Sequence, residues 1–389
     1  MTFLIHTTNK TRKKSYFLIY VIILNLLIYH YLNINEIFLM SPQKEIENIE
    51  LYLKLCKNKE NALFDFSNKI KNPKVSIISP IYNRGKYLLR FLKSIQYQNF
   101  NEVEILLIDD YSTDNTINLI KYYQNIDHRI ILIKNKKNSG TFKCRIIGIL
   151  ASKGEYAIIP DPDDILSQNS LTMFYAFATK YNYEMIRFNL YLGNDQIFLS
   201  DVIKKIKSRP IFQPELRTFL FYATGILMYI DFNVSNKFIK REALIRAVNL
   251  LDKEYLNNYM IHCEDQLLNY ILYKTVKSFY FLKRIGYYYI INSFSITSKQ
   301  FNSRKLKNIM THLKVLFVYS KNNQFEKNMF NYLFKDYIRL KSRLDNVDLL
   351  KDDIKFYKDT LDLFLENDFV SINNRNYMIQ IEQRLKNIT

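Results

Sequence analysis

From Lys74 onward the chain alternates short β-branched runs with helix-length amphipathic stretches, and few folds accept that pattern. A strand that is followed by a helix before the next strand begins builds a largely parallel sheet, because parallel neighbours need a crossover between them. The runs predict strands over Val75–Ser79, Glu104–Ile108, Ile130–Lys134 and Tyr156–Ile159. Helical periodicity falls near Lys86–Gln96, Thr113–Tyr123 and Thr141–Ala151. Asp110 or Ser112 is placed to cap the second of these helices, with Asp114 in its first turn. After Pro162 the order loosens, with a helix near Ser170–Tyr181, a strand near Glu184–Tyr191 and mixed elements to about Lys299. Residues 301–389 are polar and helical in period, and read as a helical C-terminal region.

Upstream of this domain, Lys10, Arg12, Lys13 and Lys14 precede Tyr16–Leu32, a mostly apolar run of 17 residues interrupted by Asn25 and His30. As a helix it spans roughly 26 Å, enough for a thin bilayer. A signal anchor, a cleaved signal peptide and a buried helix compete for this segment. No small-residue cleavage site follows it, since the next residues are Asn33, Ile34, Asn35 and Glu36. The expectation is a tail over residues 1–15, a single transmembrane anchor over 16–32, a stem over 33–73 and the main domain over 74–300. The basic cluster then keeps the N-terminus in the cytoplasm and faces the rest to the lumen of the Golgi or endoplasmic reticulum. Asn233-Val234-Ser235 and Asn387-Ile388-Thr389 are glycosylation sequons that matter only in that case.

The formal charge of +19 over 389 residues raises the question of a nucleic-acid partner. The basic residues are scattered: residues 301–389 carry 16 Lys and Arg against 11 Asp and Glu. A diffuse excess suits an anionic membrane surface or an anionic ligand, and no nucleic acid is expected. The three cysteines, Cys56, Cys144 and Cys263, form no CxxC pair and leave at least one thiol free. The seven glycines fit neither GxGxxG nor the P-loop pattern. That removes the usual dinucleotide oxidoreductases and P-loop kinases. HExxH and GxSxG are absent too. A nucleotide in this domain must be met by carboxylates and a metal.

Three acidic clusters fall where loops are expected. Asp109 and Asp110 directly follow the strand EILLI, at the end of a parallel strand where open α/β sheets bind ligands. They can accept hydrogen bonds from a base or a ribose; helix capping is the simpler alternative. Asp161, Asp163 and Asp164 follow the strand YAIIP. Three acids in four residues repel one another, and a hard divalent ion between them and a diphosphate relieves this, unless the loop is merely a solvated turn. Glu264 and Asp265 open the apparent helix EDQLLNYILY. A helix start favours carboxylates in any case, but an ionised Asp there can also take a proton from a hydroxyl.

In order, VSIISPIYNRGKYLLRFLKSI, EILLIDDYSTDNT, KNSGTFKCRIIGI, YAIIPDPDDIL and HCEDQLL resemble the motifs of the family 2 glycosyltransferases of the GT-A fold. The resemblance covers about Lys74 to Thr297. It implies an inverting hexosyltransferase-like enzyme that moves a sugar from a nucleotide-diphosphate sugar, a UDP-sugar foremost, to a hydroxyl of a glycan, glycoprotein or glycolipid. By the same resemblance Pro80, Tyr82 and Asn83 meet the nucleotide, Asp109 and Asp110 hold base and ribose, and Asn138, Gly140 and Arg145 approach the donor. Asp161 and Asp163 correspond to the DxD motif, with Asp163 as the direct ligand of Mn2+ or Mg2+. Asp265 corresponds to the catalytic base and Glu264 to its neighbour. The segment Tyr287–Thr297 is similar to the Tyr-rich strand and loop beyond the base.

Two departures stand out. Cys144 occupies a position where Ala is common, and Ile146-Ile147 replace small or polar residues. The chain has no Trp and hence no QxxRW motif, which argues against a processive synthase. A catalytically inactive, membrane-tethered nucleotide-sugar binder or interaction protein is the alternative, and a nucleotidyltransferase is disfavoured by the single glycine in PIYNRGKY.

Overall fold

In the computed structural model of the chain, β1 (Val75–Ile81) and β2 (Val103–Asp109) are buried at every position. That is what their unbroken apolar runs demand of strands covered on both faces. β1 pairs in parallel with β2 and, on its other side, with β4 (Tyr156–Ile158), while β2 pairs in parallel with β3 (Ile130–Lys134). The structure describes residues 70–194, 233–291, 302–320, 327, 330–331, 334, 351–367 and 370–388. The anchor expected at Tyr16–Leu32, its stem up to residue 69 and the sequon at Asn387 to Thr389 are not among them, at least in full. No helix of the described residues is long and apolar enough to cross a membrane.

The expected helices are α1 (Gly85–Gln96), α2 (Thr116–Gln124), α3 (Thr141–Ala151) and α4 (Ser170–Tyr181). The start of α2 differs from the expectation. Asp114 lies before the helix, where its carboxylate accepts from the Thr116 and Gly85 amides, and Asn115 takes the cap position without a side-chain bond. Neither Asp110 nor Ser112 caps α2. The Ser112 hydroxyl accepts from the Asn83 amide instead, and Asp110 turns to the loop after β3.

The sheet is mixed rather than mostly parallel. Its order is β3-β2-β1-β4-β7-β6-β8-β5, with β5 (Ile165–Leu166), β6 (Met185–Asn194), β7 (Lys237–Lys240) and β8 (Phe279–Ile291). β7 runs antiparallel to both β4 and β6, β5 runs antiparallel to β8, and β6 pairs in parallel with β8. Beyond the first four strands the sequence pattern marks β6, expected near Glu184–Tyr191, whereas β5 and β7 span only 2 and 4 residues and show no period.

Chain direction reverses between β1 and β4. From β1 the chain steps outward to β2 and β3, then returns through α3 to the other side of β1. Right-handed crossovers therefore place α3 on the face opposite α1 and α2, and leave a crevice at the carboxyl ends of β1 and β4. α3 lies tightly on the sheet because Gly148 leaves no room for a side chain: a Cβ there meets Ile78 at 2.2 Å. α5 (Arg241–Leu250) and α7 (Glu264–Thr275) pack on each other and on α3. Between them lies the short α6 (Lys253–Leu256).

The C-terminal helices α8 (Ser303–Ser320), α9 (Lys351–Leu365) and α10 (Ile372–Ile388) extend this layer. Leu313, Phe317, Leu361, Phe364 and Leu385 belong to the same apolar cluster as Ile78, Leu106 and Ile149 of the sheet and α3. The helical C-terminal region thus shares its core with the α/β domain.

Candidate active site

The carboxyl ends of β1, β2 and β4 and the starts of α3 and α7 converge, and each brings a polar group set by its own local geometry. At the end of β1, Pro80 is buried in the strand, Tyr82 is 45% exposed and Asn83 adopts a left-handed φ of 52°. Asn accepts that conformation more readily than most residues. From it, Asn83 Oδ1 accepts from the Thr113 and Asp114 amides at 2.8 and 3.3 Å, which ties the β1 loop to the β2 loop.

At the end of β2 the two acids point to different partners. Asp109 is fully buried and accepts from the Ser112 amide at 3.3 Å. Asp110 accepts from the Ser139 and Gly140 amides at 2.7 and 2.8 Å and from Asn135 Nδ2 at 2.8 Å. It thereby shapes the loop that leads into α3. Gly140 is obligatory at this point, since its φ is +88° and a Cβ would meet the Met260 carbonyl oxygen at 2.8 Å. Asn138 in the same loop keeps its Oδ1 buried with no hydrogen-bond partner among the described residues. Cys144 fits the network through its sulfur, which accepts from Asn135 Nδ2 at 3.3 Å. Cys144 and Cys263 are both free and buried, so they form no disulfide.

The three acids after β4 do not share one face. Asp164 turns inward, accepting from the Tyr287 hydroxyl at 2.6 Å and from the Ile290 amide at 2.7 Å. The same Tyr287 oxygen accepts from the Asp161 amide at 3.0 Å, so β8 fixes both ends of the acidic loop. Burial raises the Asp164 carboxyl well above its ordinary value, and the charges of Asp163 and Asp161 add to this. Asp163 lies 3.5 Å from Arg84 Nε, and its carbonyl oxygen accepts from Arg90 Nη2 at 2.8 Å. Of the three acids after β4, Asp161 and Asp163 keep a partly open face while Asp164 is buried.

Arg145 joins the clusters. Its side chain is 2% exposed, and the guanidinium donates to Asp161 Oδ1 at 3.0 Å and to Asp265 Oδ1, with Glu264 Oε1 at 3.6 Å. α3 therefore brings its arginine between the acid that follows β4 and the acids that open α7. Burial disfavours the Arg145 cation, but the Asp265, Asp161 and Glu264 charges outweigh it and push its pKa up. Asp161 and Asp265 are each pushed up to about 6, chiefly by burial and against the pull of Arg145. Their side chains still expose 27% and 26% of their area, so one edge of each reaches solvent. Burial likewise raises Glu264. The left-handed residue Cys263, with φ 62°, turns the chain so that both acids sit in the first turn of α7.

Beneath these acids runs the turn Asn233–Asn236. Asn233 Oδ1 accepts from the Ser235 amide at 2.8 Å and from its hydroxyl, so this sequon is folded into an Asx turn under the site. The fully buried Lys237 donates to the Asn233 carbonyl and to Asn236 Oδ1. Lys237, Tyr287, Arg84 and Arg90 were not singled out as site residues from sequence. Tyr287 alone had a signal, at the head of the Tyr-rich segment.

Residues 76–245 match the model of Glycosyl transferase family 2. The match identifies a glycosyltransferase family 2 domain over these residues. It is 32% identical over 117 residues to the glycosyltransferase GlyG of Streptococcus pneumoniae, covering 30% of this chain and 39% of GlyG. It is 28% identical over 236 residues to an uncharacterized glycosyltransferase of Haemophilus influenzae, covering 59% of this chain and 84% of that protein. The chain thus spans under half of one of these relatives and most of the other. Among solved structures it shares its fold with S. aureus TarS 1–349 in complex with UDP-GlcNAc, at a TM-score of 0.56 and 16% identity over 80% of this chain and 89% of that chain. This fold is the GT-A-like α/β architecture expected from the motifs.

Proposed function

We propose that this chain transfers a sugar from a nucleotide-diphosphate sugar to an acceptor hydroxyl with inversion, and that Asp265 is the general base. One observation carries the reading: Arg145 gathers Asp161, Glu264 and Asp265, from sequence positions up to 120 residues apart, at the switch point of the sheet. A structural helix start needs no such convergence. A UDP-sugar is the favoured donor, as TarS 1–349 shares the fold and is known with UDP-GlcNAc bound. The acceptor is taken to be a glycan or a glycan-bearing protein or lipid.

In this reading the loop cradled by Asp110, with Asn138 and Gly140, receives the nucleotide together with Pro80, Tyr82, Asn83 and Asp109. The unpartnered Asn138 oxygen leaves one acceptor for a donor N–H or hydroxyl. Asp163 and Asp161 would hold a divalent Mn2+ or Mg2+. Two carboxylates with partly open edges would suit a hard divalent ion, and no group of three or more His, Cys, Asp or Glu side chains able to hold a metal occurs among the described residues. When bound, that ion neutralises charge on the diphosphate. Asp265 draws the proton from the acceptor hydroxyl as the acceptor oxygen bonds to the anomeric carbon and the bond from that carbon to the diphosphate breaks. A carboxylate raised to about 6 is still ionised at neutral pH and is a stronger base than an ordinary Asp. Arg145 holds it in place and disperses its charge.

The Asp265→Asn variant is expected to lose transfer by at least ~100-fold while its dissociation constant for the nucleotide stays near that of the wild type. Loss of nucleotide binding in Asp265→Asn would make the residue structural. The internal pairing of the acids also suits the second reading, a nucleotide-sugar binder without turnover. Tight donor binding with no transfer to any acceptor, in the wild type, would favour it. The membrane anchor at Tyr16–Leu32 remains part of the proposal on its basic flank and apolar length, and retention in the membrane fraction after a high-salt wash tests it.

A further inference from the structure

α8, which carries none of the family motifs, reaches the nucleotide end of the site. Its Asn308 is 2% exposed and brackets one peptide stretch from both sides. Asn308 Nδ2 donates to the Tyr259 carbonyl at 2.8 Å, and Asn308 Oδ1 accepts from the Ile261 amide at 3.0 Å. Between these two residues lies Met260, whose carbonyl accepts from the Phe142 amide at 3.1 Å and whose backbone forbids a side chain at Gly140. Gly140 in turn donates to Asp110. A continuous set of contacts thus runs from α8 through residues 259–261 to the loop expected to cradle the donor. The stretch also leads within four residues into Glu264 and Asp265.

One turn earlier on α8, the exposed Arg304 lays its guanidinium over the Tyr259 ring, 5.2 Å from the centroid. Burial raises the Tyr259 phenol, Arg304 pulls it back down and the nearby Asp110 charge adds to the rise. An exposed arginine held on an aromatic face keeps its charge while losing little freedom on binding an anion.

We propose that α8 completes the donor site: Asn308 is a positioning residue that sets the 259–261 stretch against the Gly140 loop, and Arg304, seated over Tyr259, supplies a cation to the anionic nucleotide. The inference rests on the nucleotide-sugar reading and extends it into the C-terminal region. A purely packing role for α8 requires neither a buried two-sided polar clamp on a loop nor an exposed cation seated over Tyr259.

The test uses the full 389-residue chain with UDP and Mn2+ as the probe, reading the dissociation constant by calorimetry and the melting temperature beside it. Arg304→Ala should weaken UDP binding at least fivefold with the melting temperature unchanged, and Arg304→Lys should recover part of the loss. Asn308→Leu should weaken binding at least fivefold while also lowering the melting temperature. Asn308→Asp, which keeps the acceptor for Ile261, should fall between. Leu313→Ala, on the buried core side of α8, is the control for mere destabilisation and should leave UDP affinity within twofold. Wild-type affinity in both Arg304→Ala and Asn308→Leu overturns the proposal, as does an equal loss in Leu313→Ala. Failure of the wild-type chain to bind UDP with Mn2+ would instead remove the UDP-sugar reading, and the inference with it.

Discussion

Arg145 has three carboxylates about one guanidinium, and its side chain is almost wholly removed from solvent. Removing one partner of a buried ion pair costs more than the pair itself contributes, because the remaining charges keep their desolvation penalty. Arg145→Met is therefore expected to lower stability by about 3–5 kcal/mol, measured by urea unfolding at pH 7. A loss below about 1 kcal/mol would mean that the acids relax to solvent and that Arg145 does not organise them. Tyr287 has a comparable position in β8, since its hydroxyl joins Asp164 to the Asp161 amide. Tyr287→Phe leaves both groups without that partner and should cost about 1–3 kcal/mol. Because the acidic loop also loosens, the donor KM should rise more than kcat falls. An unchanged KM would show that β8 only packs against the loop. At this scale the sequence disclosed which residue types matter and not which of them face solvent. Asp163 and Asp164 are chemically alike neighbours; only the register of Tyr287 and Ile290 in β8 sends one inward.

The legible elements are those whose pattern is local. β1 to β4 and α1, α3 and α4 stand within about two residues of where apolar periodicity places them, because each is a complete strand or helix with its own buried face. α2 starts later than expected because Asp114 satisfies the Gly85 and Thr116 amides from outside the helix. β7 and its antiparallel pairings were not legible, since Lys237–Lys240 is too short for a period and its register depends on β4 and β6. Likewise nothing in its amphipathic period marks α8 as carrying a buried histidine. Burial, with His262 adding to it, pushes the His312 ring down to about 3 from 6.5. The groups acting on it include His262, which is itself lowered by burial and by Lys305. Between those two pH values the unfolded chain binds a proton that the folded chain does not. Stability contributed at neutral pH is therefore lost as pH falls from about 6.5 toward 3. The melting temperature should drop from pH 7 to pH 5, and less steeply in His312→Gln. Equal slopes in the two proteins would place the acid sensitivity elsewhere.

Across the whole molecule, the α/β domain and the C-terminal helices share one apolar cluster, and the candidate site draws on both. The GT-A-like half was readable because five motifs in order carry its chemistry. The contribution of α8 was not, because a clamp such as Asn308 on residues 259–261 is a contact across 47 and 49 positions with no local pattern. Charge followed the same division: the net +19 is diffuse in sequence, while Arg84, Arg145 and Lys237 concentrate it around the acids. The account as a whole rests on nucleotide-sugar chemistry at the Asp161–Arg145–Asp265 convergence. The most direct test is donor hydrolysis by the full chain across a panel of nucleotide sugars, with Mn2+, Mg2+ or EDTA, beside the Asp163→Ala variant. The account predicts slow cleavage of one donor, foremost a UDP-sugar, that requires the metal and disappears in Asp163→Ala. No cleavage of any donor, together with no nucleotide binding, would contradict it.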